Sequence, residues 1–182
     1  MVLLSTGVGL WWAGHFFKRT LPNLRNGLGN AGKGVSALII AAGLGLMIWG
    51  YRSAEFVPVW WPPTWAVHLN NLMMFAAIAL FGMGSSKGTA RSWLRHPMLT
   101  GALVFGLAHL LVNGDLASII LFGGIAGWVI LQMIVINLAE PEWVRPKPGP
   151  VSGDIRLLII SAVLFAVITA LHSWLGPWPF PL

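Results

Sequence analysis

The chain has 182 residues, 57% of them hydrophobic and only 9% charged, where a soluble domain is about a quarter charged. A soluble globular fold is therefore set aside. The net charge of +6 does not argue for nucleic acid, because the basic residues sit between apolar runs, where they orient membrane segments and meet anionic headgroups. The lack of cysteine removes disulfides, thiolate metal ligation and cysteine nucleophiles.

Uncharged apolar runs of membrane length predict an all-α polytopic membrane protein, a bundle of six transmembrane helices forming a single domain over residues 1–182. The first run, 2–17, has no basic segment before it and reads as a retained span rather than a signal peptide. Trp11, Trp12 and His15 lie near its end, and a Gly/Asn-rich loop with Lys18, Arg19, Arg25 and Lys33 follows. The second run, 34–51, ends Trp49-Gly50-Tyr51. The connection from Arg52 to Trp65 holds Pro58, Pro62 and Pro63, which forbid a regular helix, and tryptophans suited to the headgroup layer. The third run, 66–84, begins with His68, Asn70 and Asn71. After a loop with Lys87, Arg91 and Arg95, the fourth run spans 97–113 and the fifth 116–138. Pro97 suits a first helical position, Gly114 a helix stop and Asp115 an N-cap. The segment from Glu140 to Arg156 reads as an exposed loop, the sixth run covers 156–175, and the Pro-rich tail from Gly176 to Pro181 cannot be helical.

Basic residues number 4, 1, 3, 0 and 3 along the five loops. The odd loops are therefore expected in the cytoplasm, with both termini on the outer, periplasmic face of a bacterial inner membrane. There is no internal repeat of the kind that builds transporters from inverted halves.

Acidic residues offer no catalytic pairing. Glu55, Glu140, Glu142 and Asp154 are assigned to loops, and Asp115 to a turn. Histidines carry the interest because they lie at or within spans: His15, His68, His96, His109 and His172. With a rise of ~1.5 Å per residue, His109 sits ~18 Å into its span, the deepest of the five. Ala102 and Gly106 share its side of the helix and leave room for something flat, and Asn113 is one turn on. Ser161, Phe165, Thr169 and His172 form a stripe on the sixth run. His68 reads as interfacial. His96 reads as a helix-start residue beside Arg95, with binding of a propionate or lipid headgroup by Arg95, Arg91 or His96 as the alternative. An imidazole buried in lipid must be hydrogen-bonded or metal-bound, and the residues alone leave both readings of His109 open.

Arg95-His96-Pro97-Met98, followed by Ala108-His109-Leu110-Leu111-Val112-Asn113-Gly114-Asp115-Leu116-Ala117-Ser118, resembles the signature of the NnrU family. Further points of likeness are the histidine ending the first span, the Trp-Gly-Tyr ending the second and the His172-Ser173-Trp174 near the C-terminus. The family comprises small bacterial membrane proteins associated with nitrite and nitric oxide reduction. It is similar to the plant 15-cis-zeta-carotene isomerase, which requires haem b.

The resemblance implies a haem b (iron) protein of the membrane with a denitrification role. The alternatives are a carotenoid cis–trans isomerase or a cofactor-free assembly protein. The cofactor-binding set is then His109, His15, His172, Asn113, Gly106, Arg95 and His96, with His109 and His15 as iron ligands and His172 competing with His15. The expected partners are membrane lipid and an apolar substrate or nitric oxide, with no nucleic acid and an unidentified redox partner.

Overall fold

The computed structural model describes residues 1–176 and 178–180. Pro177, Pro181 and Leu182, the remaining tail positions, lie outside the described residues. The chain is helical throughout its apolar runs: α1 Val2–Thr20, α2 Pro22–Gly27, α3 Ala31–Arg52, α4 Ala66–Met83, α5 Pro97–Val112, α6 Leu116–Ala139 and α7 Val151–Leu175. No β-strand occurs among the described residues, only an isolated bridge between Pro58 and Asp115. Four helices, α3, α4, α6 and α7, are long and apolar enough to cross a membrane. α5 is apolar but has 16 residues. α1 carries His15 within its last turns and closes on Lys18 and Arg19.

Glycines decide how the bundle begins. Gly7 and Gly14 on α1 meet α3 at Met47 and Ile40, and Gly43 and Gly50 on α3 meet α1 at Trp11 and Leu4, so each helix presents glycine at a seven-residue spacing. A Cβ on Gly7 would lie 2.6 Å from the Met47 amide nitrogen, and one on Gly43 would lie 2.8 Å from that of Trp11. The two antiparallel backbones thus touch directly, the small-residue packing that membrane helices use in place of a hydrophobic drive. α4 and α5 form the second pair, α6 lies against α1 and α5, and α7 packs chiefly on α4. α7 buries only Leu157 and Ser161 and exposes Ile159, Ile160, Val163 and Val167, as a lipid-facing helix should.

The two ends of the bundle are tied separately. At one end, Val59 N–H and Trp60 N–H both donate to Gly114 O, at 2.8 and 3.0 Å, and Leu116 N–H donates to Val57 O at 2.9 Å. A Cβ on Gly114 would run into the Trp60 carbonyl, so only glycine fits there. At the other end, Asp154 accepts from Thr89 N–H and Ala90 N–H, each at 2.9 Å. Thr89 Oγ1 donates to Gly149 O at 2.8 Å. Gly88 and Gly153 are in backbone contact.

Three expectations change. α7 starts at Val151 rather than 156, because Pro150 sets its entry and Asp154 suits the positive end of the helix; Asp154 is thus a helical residue, not a loop one. The loop after α1 holds the short helix α2, begun by Pro22 and ended where Gly29 takes φ +53°. Residues 119–123 of α6 form a π turn, a widening that periodicity cannot reveal.

Candidate functional site

Near the tail and the Gly114 end, α4, α5 and α7 diverge around a cavity of about 460 Å³, within the usual range for ligand pockets. α5 supplies His109, Val112 and Asn113; α7 supplies Phe165, Ile168, Thr169 and His172. α4 contributes Asn70, Asn71, Met74 and Ile78. Tyr51 at the end of α3, Phe122 in the π turn and Trp178–Phe180 of the tail complete it. The walls are largely apolar and aromatic, with the polar groups confined to a few positions.

His109 is fixed in two ways. Its Nδ1–H donates to the Phe105 carbonyl at 3.0 Å, so the lone pair of the ring falls on Nε2. Its ring stacks on Phe122, centroids 4.4 Å apart and planes at 25°. A ligating histidine is characteristically oriented by such a bond from its other nitrogen. Asn113 Nδ2 donates to His109 O at 2.8 Å and closes the end of α5. Asp115 caps α6, accepting from Ser118 N–H at 2.9 Å. Ser118 Oγ also donates to Asp115 and accepts from the Tyr51 hydroxyl at 2.9 Å. Asp115 therefore caps its helix and is linked to Tyr51 only through Ser118.

Across the cavity, Phe165, Thr169 and His172 of the α7 stripe all line it. Phe165 meets Phe75 edge to face at 6.0 Å. Asn71 Nδ2 donates to Pro179 O at 2.9 Å, which holds the tail over the cavity. Asn71 Oδ1 accepts from Asn70 Nδ2 at 3.1 Å. Asn70 itself is 8% exposed, and its Oδ1 is buried without a hydrogen-bond partner.

The other expected site residues lie elsewhere. His15 is held between Trp11 and Trp128, centroids 4.3 and 4.4 Å away, and its Nδ1–H donates to Trp11 O at 2.8 Å. It does not line the cavity. Gly106 does not leave room for a flat group. A Cβ there would lie 3.0 Å from Phe122 O and 3.4 Å from Ala126 Cβ, because α6 occupies that side of α5. Arg95 donates to the backbone oxygens of Glu140 and Pro141. His96 Nε2 lies 2.8 Å from Asn137 Oδ1, so both pin the start of α5 to the end of α6. Arg19 pairs with Glu140 at 2.8 Å, and this guanidinium holds the carboxyl below its ordinary range. His68 is exposed. Among the described residues no group of three or more His, Asp or Glu side chains converges as an ion site. Haem iron asks for only one or two.

Sequence reasoning passed over Asn70, Asn71, Tyr51 and Phe122 as site residues. The adjacent asparagines were the available signal, since paired amides inside an apolar span are costly without a purpose. Against known families, the family model described as NnrU protein matches residues 3–179. No curated protein and no solved structure matches the chain.

Proposed function

We propose, from the premise that the chain belongs to the NnrU family, that it is a haem b protein of the bacterial inner membrane working beside nitrite and nitric oxide reduction. The observation that carries this reading is that His109 and His172, from two helices, line one largely apolar cavity. The donor chemistry fits the group. His109 Nε2 bears the lone pair, His172 stands on the same cavity, and aromatic walls suit a porphyrin face.

His109 would hold the iron, and His172 rather than His15 would be the second ligand. Bound there between two histidines, the haem would supply an iron able to exchange an electron. Phe105 O keeps the His109 tautomer, Phe122 holds the plane of its ring, and Trp178–Phe180 with the Asn71 bond limit water entry. An apolar slot of this kind also favours a second reading, isomerisation of a polyene, for which Phe165 and Ile168 would offer the contact surface.

The test is the optical spectrum of the full chain purified in mild detergent after expression with ample haem. A Soret band is expected. Its absence would remove both haem readings and leave a cofactor-free assembly protein.

The same proposal includes six crossings, with both termini outside. What supports it, besides the basic residues, is that contacts between loops keep to the parity of six spans. Arg19–Glu140 joins the first and fifth loops, Asp154 with Thr89 and Ala90 joins the third loop to the start of α7, and Gly114 joins the fourth to the second. A periplasm-active reporter fused after Leu182 should be active. Activity from a cytoplasm-active reporter alone would refute the orientation.

A further inference from the structure

At the opposite end of the bundle from His109, the clasp between the third loop and α7 creates a second cavity, of about 260 Å³. Its polar wall holds Lys87, Arg156 and Ser86, and its apolar wall holds Leu157 and Ile160. The position of Lys87 is imposed on it. Thr89 and Ala90 are bound to Asp154, Thr89 Oγ1 to Gly149 O, and Gly149 N–H to Gly88 O at 3.2 Å. The Gly88–Gly153 contact lets the loop lie directly on the first turn of α7. Two cations from distant parts of the chain are thereby set around one hollow.

Neither Lys87 nor Arg156 is in an ion pair among the described residues. Asp154 is held by the two amides and Glu140 by Arg19, the one ion pair among the described residues. Ser86 Oγ is buried without a partner and adds a hydroxyl that can donate.

We infer that this hollow is a binding site for an anionic phospholipid, its phosphate between Lys87 and Arg156 and an acyl chain along Ile160. A phosphate group complements two cations and a hydroxyl. The chemistry alone would equally suit free inorganic phosphate. The lipid is favoured because the apolar wall runs on without a break into the exposed face of α7, through Ile160 and Leu164. Basic hollows between spans at the basic end of a membrane protein suit anionic headgroups.

The experiment is native mass spectrometry of the full chain titrated with phosphatidylglycerol or phosphatidylcholine. With roughly fivefold expected per cation, the wild type should retain phosphatidylglycerol on the order of twentyfold better. Lys87→Gln and Arg156→Gln should each cut the preference about fivefold, and the double variant should lose it while holding phosphatidylcholine as before, which shows that the fold persists. The double variant Arg145→Gln/Lys147→Gln removes the same charge from residues that do not line the hollow and should keep the preference. Equal retention of the two lipids by the wild type would overturn the site, as would equal loss in the Arg145/Lys147 control. Displacement of phosphatidylglycerol by millimolar inorganic phosphate would reassign it to a free anion.

Discussion

His109→Ala should abolish the Soret band of the purified protein, with no compensating effect from the remaining histidines. On the proposed haem reading, the bond from Nδ1 to Phe105 O and the stacking on Phe122 would hold the ring ready for iron, and alanine removes the lone pair without disturbing the backbone of α5. His172→Ala should instead leave haem bound but convert a low-spin ferric signal to high spin at low temperature, because one of the two histidines that would hold the iron is gone. His15→Ala should leave that signal unchanged, since Trp11 and Trp128 hold its ring away from the cavity. His68→Ala should do the same. A low-spin signal that survives in His172→Ala and vanishes in His15→Ala would refute the ligand pair. Equal loss of haem from His109→Ala and His68→Ala would indicate general misfolding.

The largest effect on stability is expected at Gly43. Here the α1 and α3 backbones meet, and a leucine side chain would have to displace the Trp11 amide, only 2.8 Å from the position of a Cβ. Overpacking in a closed core costs typically 1–3 kcal/mol and occasionally more. With main chain on the opposing side there is little to move aside, so Gly43→Leu should cost about 3 kcal/mol or more. Gly45, two residues on, has nothing within 4 Å of a Cβ. Gly45→Ala should therefore be neutral or stabilising by up to roughly 1 kcal/mol, through helix propensity. Thermal or denaturant unfolding in one detergent compares the two variants. Similar losses from both would mean that the glycine contact does not set the α1–α3 distance.

Helix placement was legible because it rests on local chemistry. Pro97, Gly114 and Asp115 mark ends by backbone geometry and capping, and α5 and α6 begin and stop where those residues say. The α7 stripe was legible too, since Phe165, Thr169 and His172 recur at helical spacing and line one cavity.

What escaped depends on which helices become neighbours. Gly106 reads as free space, but α6 fills it. His15 and His172 are comparable in sequence, and only the packing order separates an indole clamp from the cavity wall. Asp154 reads as a loop charge because its two amide partners are some sixty residues earlier in the chain. The π turn that brings Phe122 against His109 leaves no mark on composition.

The cavity wall on α7 has a consequence for biogenesis. Synthesis runs from the N-terminus, so α4 and α5 are made before α7, and His109 then faces a half-built recess. The recess acquires its second wall only after Val151–Leu175 has been translated, inserted and fastened by Asp154 to the turn at Thr89 and Ala90. Whatever would occupy it can therefore be enclosed no earlier than the step at which α7 docks on α4.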